Sequence, residues 1–402
     1  MSLSGKHIVI ITGQHMVANP RVWKEANTLA VKGYRVTILT TFYDTVKVEQ
    51  DKALLHPFIC YQAVVNITKG VGSFQDVYLS RIGRKIALLT KKYLRQDSAA
   101  LLLYLPKKQI KLAFAKNADL YIAHQETGLI VGVELLKLGK KVAFDIEDWY
   151  SRDYLNDIRP VKLLTKYESY ALLHGKYVTC PSKSMAEALI SVYQTTKTPI
   201  VIFNSFSSKE NTNNFGFERP SNSLIWFSQV VGPSRGLETL MDALKLVKES
   251  LVVHLVGKCD LGYKDFLLQL MGRSIHQLYF HDAVNHFELL PLISQFNIGL
   301  AIENNFPDNR DTTITNKIFQ YIQAGNKVLA TNTKGQAELS ESFKDVIALV
   351  DVNQPKQFAA ALLSLINRPT INLEYRLQYF NRHFAWEAQE LKIIDLVFKA
   401  VF

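Results

Sequence analysis

The sequence predicts two doubly wound α/β domains in tandem, on three observations. The chain has 402 residues, too many for one ordinary core and enough for two. In both halves, short apolar runs rich in β-branched residues alternate with stretches of helical period, the pattern of a parallel sheet covered by helices. Between the halves, Ser205–Ser223 is dense in Ser, Asn, Gly and Pro and has no apolar period, as expected of a solvated connection. The hydrophobic share of 48% and charged share of 21% exclude disordered, collagen-like and coiled-coil chains.

The elements follow in order. His7–Thr12 is an apolar strand; Gly13 and a loop lead to a helix over Arg21–Lys32, with Val22, Ala26, Leu29 and Ala30 on one stripe. Gly33 stops that helix and Arg35–Thr40 supplies a second strand, completing a βαβ unit with parallel strands. Leu120–His124, Val142–Asp145, Tyr177–Cys180 and Ile200–Phe203 are the later strands of a first domain over residues 1–205. A linker over 206–222 follows. In a second domain over 223–385, strands Leu224–Phe227, Leu251–Val256, Gln277–Phe280, Ile298–Ile302 and Lys327–Ala330 alternate with helices. The tail 386–402 reads as a helix that packs back toward the first domain, with Leu391, Ile394, Val397 and Phe398 on one side. Open α/β sheets bind ligands beyond the carboxyl ends of their strands, so both domains are expected to turn those ends toward a shared cleft.

Cys60, Cys180 and Cys259 have no metal-like or redox-like spacing, which points to a reducing, cytoplasmic setting. No early stretch has the order of a signal peptide, and no apolar run approaches the ~20 residues of a membrane span. The 47 basic and 36 acidic residues leave a net charge of +11, an attraction for phosphates, anionic lipid or nucleic acid. Much of the excess sits between Arg81 and Lys116. There Arg81, Arg84, Lys85, Lys91, Lys92, Arg95, Lys107, Lys108, Lys111 and Lys116 are interleaved with Ile, Leu, Tyr and Phe, and Asp97 is the one acid. The pattern reads as basic amphipathic helices on anionic lipid, or as a solvated face. No recognition motif for nucleic acid accompanies it.

Chemistry is sought in the loops after strands. Gly13 permits close approach to a ligand or simply a tight turn, and no G-x-G-x-x-G or G-x-x-x-x-G-K-S/T follows. His124, at a strand end, is placed to bond a hydroxyl or take a proton, the alternative being a buried structural histidine. Asp145, Glu147, Asp148 and Asp153 lie close to Trp149 and Tyr150, a mixture suited to a polyhydroxylated ligand, since rings cover sugar faces and carboxylates accept from hydroxyls, or else to a helix start capped by Asp148. In the second domain, Gln229–Gly236 joins a strand to a helix and carries Arg235 beside glycines, a weak phosphate signal. A stronger one follows Glu303, where a polar loop crosses to Thr312, Thr313, Ile314 and Thr315 and a helix starts near Asn316 with Lys317 in its first turn. Helix amides, the Lys317 charge and Gln320 one turn on fit a diphosphate and a ribose. HExxH, paired CxxC and an apolar-flanked D-x-D are absent, which disfavours metalloprotease and metal-bridged nucleotide-sugar chemistry.

Several stretches resemble bacterial glycosyltransferases of the GT-B fold in the large retaining group 4, the glycosyl transferases group 1. They are Asn19-Pro20-Arg21-Val22…Glu25-Ala26, Gly33-Tyr34-Arg35-Val36-Thr37, Asp145…Asp148, Pro181-Ser182…Met185-Ala186…Leu189, Phe203-Asn204, Arg235-Gly236-Leu237-Glu238 and Asn316-Lys317-Ile318-Phe319-Gln320-Tyr321…Ala324-Gly325. The resemblance implies two Rossmann-like domains, a nucleotide-diphosphate sugar held mainly by the second, an acceptor held mainly by the first, and no metal or other cofactor. By position, His124 matches the family's histidine beside the donor sugar and Arg235 its basic diphosphate contact. Gln320 stands where the family has the second glutamate of its E-x7-E motif, and Thr312 where it has the first. Gln229 lies near a second basic contact, and Glu147 replaces a histidine frequent after the fifth strand. With His124, Glu147 and Glu303 as reacting-site groups and Gly13, Gln229, Arg235, Thr312, Thr313, Ile314, Asn316, Lys317 and Gln320 as donor contacts, the expectation is a cytoplasmic or membrane-peripheral glycosyltransferase. It would act on a glycan or lipid-linked acceptor in cell-surface polysaccharide or glycolipid synthesis, with no nucleic-acid partner. The missing glutamates leave open a degenerate binding or scaffold subunit, and the fold a sugar-nucleotide epimerase.

Overall fold

The computed structural model describes residues 5–153, 158–210, 219–369 and 373–402. The chain divides into two compact units, one of residues 1–202 with 390–402 and one of residues 203–389.

The first unit is built on a parallel sheet of seven strands: β1 (His7–Ile11), β2 (Arg35–Phe42), β3 (Cys60–Asn66), β4 (Leu120–His124), β5 (Val142–Asp145), β6 (Val178–Cys180) and β7 (Ile200–Val201), in the spatial order 3-2-1-4-5-6-7. The helices that link them are α1 (Pro20–Val31), α2 (Thr45–Leu54), α3 (Phe74–Leu94), α4 (Pro106–Ala115), α5 (Gln125–Lys137), α6 (Val161–His174) and α7 (Lys183–Tyr193). Every residue of β1, β4 and β5 is buried, which explains their unbroken apolar runs. β3 was not anticipated. It is an edge strand, half covered along CYQAVVN, so its sequence lacks the run that marks a central strand.

The second unit repeats the plan with six strands: β8 (Ser223–Val231), β9 (Val252–Cys259), β10 (Gln277–His281), β11 (Ile298–Ala301), β12 (Lys327–Thr331) and β13 (Ile347–Val350), in the order 10-9-8-11-12-13. Its helices are α8 (Leu237–Leu244), α9 (Leu261–Met271), α10 (His286–Ile293), α11 (Asp308–Thr312), α12 (Asn316–Ala324), α13 (Lys334–Ser340), α14 (Pro355–Asn367) and α15 (Leu373–His383). β8 runs past the expected end at Phe227, through a register shift between Phe227 and Val230, to Val231. Gln229 is therefore an exposed strand residue and not part of the strand-to-helix loop. α11 is a short helix inside the segment read as a polar loop.

The polar stretch read as a linker is only partly so. Phe203 and Phe206 are buried, and the Phe203 ring packs 5.8 Å from Phe319 and 5.2 Å from Phe384. Gln323 Nε2 donates to the Ser207 carbonyl at 2.6 Å. Residues 203–208 thus belong to the packed body of the second unit, while 211–218 of the expected linker lie outside the described residues. The final helix, α16 (Trp386–Val401), buries Ile393, Val397 and Val401. Leu391 and Phe398, expected on the buried side, are exposed: the stripe advances by four residues each step from Gln389, also buried. From Glu390 onward α16 belongs with the first unit, where Thr28 Oγ1 donates to the Glu390 carboxylate at 2.8 Å and Lys141 Nζ donates to the Val401 carbonyl at 3.3 Å. Among the described residues no helix is long and apolar enough to cross a membrane.

In each sheet the strand order reverses beside the first strand, between β1 and β4 and between β8 and β11. Such a switch point, at the carboxyl end of the strands, is where an open α/β sheet receives ligands.

Candidate active site

In the first unit the switch point is occupied by a buried ion cluster. β4 ends in His124, fully buried, whose Nδ1 lies 2.9 Å from Glu147 Oε1 and 3.2 Å from Asp145 Oδ2 while Nε2 lies 2.8 Å from Glu25 Oε2. Burial disfavours a charged imidazole, but hydrogen bonds to Asp145, Glu147 and Glu25 outweigh it and hold the His124 pKa well above its ordinary value. Arg21, reaching inward from α1, bonds both oxygens of Asp145, Nη2 to Oδ1 at 2.6 Å and Nε to Oδ2, and Nη1 donates to the Ile202 carbonyl at 2.5 Å. Thr179 Oγ1 adds a third donor to Asp145, at 2.6 Å. Burial would raise the Asp145 pKa, yet Arg21 and His124 hold it far below the usual carboxylate range. Glu25, His124 and Asp145 each offer one atom within 4.8 Å of the others. Both imidazole nitrogens are engaged and Arg21 is already on Asp145, so two cations meet three carboxylates within the cluster.

His124 was expected to touch a ligand. It has no exposed surface, and its ring is held among three acids, Glu147 included at 2.9 Å. That carboxylate also accepts from Asn19 Nδ2 at 2.9 and 2.8 Å and is only partly buried. Trp149 and Tyr150, expected as a sugar platform, are buried in the hydrophobic core. Gly13 follows β1; a Cβ there would stand 2.3 Å from Thr127 Oγ1 on α5, so the absent side chain serves packing of α5 against the β1 loop. Arg21, Glu25 and Asn19 carry roles that residue-by-residue reading did not assign. One signal was present: Arg21 and Glu25 are four residues apart on one side of α1, next to its apolar stripe.

In the second unit the switch point gathers opposite charges. The loop after β8 brings Arg235, and Gly236 follows with φ 77°. A Cβ at Gly236 would lie 2.2 Å from Ile302 Cγ2, so only glycine lets the loop sit against the end of β11. Glu303 follows β11, and its backbone exchanges hydrogen bonds with Thr331 Oγ1 at 2.9 and 2.7 Å. Its carboxylate accepts from Lys317 Nζ at 2.5 Å and lies 3.8 Å from Arg235 Nη1. Lys317, in the first turn of α12, rests its ammonium 5.5 Å from the Trp226 ring centroid. The α12 N-cap, Thr315, makes no side-chain cap, which leaves the amides of exposed Asn316 and of Lys317 uncapped, while the Ile318 N–H donates to the Thr315 carbonyl at 3.2 Å.

The other expected donor contacts divide. Gln320 is 4% exposed, next to Lys317 along α12. Thr312 and Ile314 are buried; Thr312 Oγ1 donates to the Asp308 carbonyl at 2.9 Å, which turns it into α11 and corrects its expected donor role. Thr313 Oγ1 is likewise held by the Asn309 carbonyl at 2.7 Å. Gln229 sits out on β8 with its side chain exposed.

Comparison with known proteins agrees with this geometry. Residues 221–368 match the family model for glycosyl transferases group 1. None of the curated proteins matches the chain. Among solved structures, sucrose-phosphate synthase from Thermosynechococcus elongatus superposes with a TM-score of 0.67 at 14% identity, over 98% of each chain. Anabaena HepE in complex with UDP-glucose gives 0.68 at 14%, over 98% of this chain and 99% of that one. The UDP-GlcNAc 2-epimerase from Neisseria meningitidis gives 0.58 at 12%, over 98% and 100%. The chain thus shares the fold of these structures, two Rossmann-like units, and its residues 221–368 are similar to the glycosyl transferases group 1.

Proposed function

We propose that the protein moves a sugar, with retention of configuration, from a uridine-diphosphate donor held by the second unit to a glycan or lipid-linked acceptor held by the first. The observation that carries this reading is the pairing of Arg235 and Lys317 around Glu303 beside the uncapped start of α12. Two cations and the first two amides of α12 are preorganised for the charge that develops on a leaving diphosphate, and they act as fixed electrostatics without a metal ion. Glu303 keeps both cations in place and offers oxygens to sugar hydroxyls; Gln320 bonds the ribose. Glu147, held by His124 and Asn19, is the first unit's candidate reacting group. HepE, with UDP-glucose bound, and the epimerase from N. meningitidis, with UDP-GlcNAc, support the choice of donor. The work is placed in the cytoplasm, at an anionic membrane face met by the basic segment after Arg81, in polysaccharide or glycolipid synthesis.

Replacing Arg235 by alanine is expected to weaken UDP binding by about 1.5–3 kcal/mol, the scale of a charge-assisted hydrogen bond. Calorimetry that finds the affinity unchanged would take Arg235 out of the site. A second reading, sugar-nucleotide epimerisation, is favoured by the epimerases among the similar structures. NMR of a donor incubated with the protein and no acceptor decides between them: an interconverted sugar nucleotide supports epimerisation, and an unchanged donor that is consumed only when acceptor is added supports transfer.

A further inference from the structure

α3 turns an apolar face to solvent. Tyr78, Ile86 and Tyr93 are 55%, 57% and 69% exposed, and Leu79, Ile82 and Leu89 are exposed with them. At about 100° per residue these six fall within an arc of about 100°, with Arg81, Lys85 and Lys92 along one flank. The opposite side buries Asp76, Ser80 and Ala87. A surface helix ordinarily shows the reverse arrangement. Of the two inward polar residues, Ser80 Oγ has no hydrogen-bond partner among the described residues, whereas Asp76 accepts from the Asn66 N–H at 3.0 Å and from Lys108 Nζ at 2.5 and 2.8 Å. These bonds fix the rotation of α3 and tie its start to the carboxyl end of β3.

The same contacts sort the basic residues of the segment. Lys108 is spent on Asp76, Lys91 donates to Asp97 and to the Arg159 carbonyl at 2.9 Å each, Arg84 bonds the Leu101 carbonyl at 3.2 Å, and Lys116 bonds Gln62. These four were expected to face lipid and are instead engaged within the unit. Arg81, Lys85 and Lys92 are exposed, with no acid partner among the described residues.

We propose that α3 lies in the boundary between headgroups and acyl chains of an anionic bilayer, with Tyr78, Leu79, Ile86, Leu89 and Tyr93 inserted and Arg81, Lys85 and Lys92 on the headgroups. This rests on the membrane-peripheral part of the reading above and adds apolar insertion to it. An aromatic and aliphatic stripe with a cationic border is the make-up of an interfacial helix. A contiguous exposed apolar patch of this kind is unusual on a protein that stays in water. Charge selects the bilayer over a second copy, since two such faces would bring their unpaired cations together.

The test is co-sedimentation of the full chain with vesicles of phosphatidylglycerol and phosphatidylcholine, or of phosphatidylcholine alone. One variant combines Leu79→Gln, Ile86→Gln and Leu89→Gln; the other combines Arg81→Gln, Lys85→Gln and Lys92→Gln. All six sites are exposed, so melting temperatures are expected to match the parent protein. The parent binds the anionic vesicles, the basic variant loses roughly a hundredfold in partitioning, and the apolar variant loses at least tenfold and leaves no binding in high salt. An apolar variant that binds like the parent while the basic variant does not would overturn insertion and leave charge-driven adsorption standing. No binding by the parent protein overturns both. A fall in sedimentation coefficient from dimer to monomer in the apolar variant assigns the face to a second copy and also overturns the proposal.

Discussion

Asp145→Asn is expected to destabilise the first unit by about 3–5 kcal/mol, the largest stability effect of any single substitution discussed, because it strips the paired counter-charge from the buried Arg21 guanidinium. Asp145 is 4% exposed and accepts from Arg21, Thr179 and His124. Urea unfolding at neutral pH gives the measurement, and a loss below about 1 kcal/mol would show that the cluster relaxes or hydrates when broken. Pairing the change with Arg21→Met closes a double-mutant cycle; the coupling between the two is expected to account for most of the loss.

The same cluster gives the first unit two pH limits. The folded Asp145 pKa is depressed, so its contribution is present above the ordinary carboxylate value near 3.9 and is lost as pH falls through the folded value. The folded His124 pKa is raised, so its contribution is full below about 6.5 and is lost as pH rises through the folded value. His124→Gln is expected to remove the alkaline decline and keep the acid one.

Lys317→Met is expected to cost about 2–5 kcal/mol in binding of a nucleoside diphosphate, the range for removing one member of a largely buried charge pair. The ammonium is 9% exposed and sits between Glu303 and the start of α12. Its removal takes a cation from the diphosphate and leaves Glu303 as uncompensated negative charge in the same place. The combined Lys317→Met and Glu303→Gln change separates the two terms. It restores thermal stability by removing the orphaned carboxylate, and it leaves affinity weak because the cation is still missing. If UDP affinity returns with stability, Lys317 acts only as the partner of Glu303 and not as a diphosphate contact.

Much of the architecture was legible because central parallel strands are buried on both faces and spell themselves as apolar runs, as in HIVII of β1 and IGLA of β11. β3 escaped because an edge strand needs no such run, and the face of α16 was misassigned because Leu391 and Phe398 are apolar yet exposed. At the site, Arg235, Glu303 and Lys317 converge as their loop positions after β8 and β11 implied. His124 was placed at the right strand end with the wrong surroundings: whether a histidine reaches solvent depends on side chains from α1 and from the segment after β5, distant in sequence, and no local pattern reports their meeting. Thr312 went astray for a related reason, since α11 was not foreseen and its turn takes the hydroxyl inward.

If Lys317 meets the donor as proposed, its ammonium over the Trp226 indole would make donor binding optically self-reporting. Trp226 is sealed from solvent and its Nε1 has no hydrogen-bond partner, so its emission answers to the local electric field and not to water. When Lys317 turns part of its charge from Glu303 to a phosphate, the field across the ring changes. A shift in tryptophan emission on adding UDP, absent in Trp226→Phe although that variant binds as tightly, would allow donor occupancy to be followed on the millisecond scale without a label.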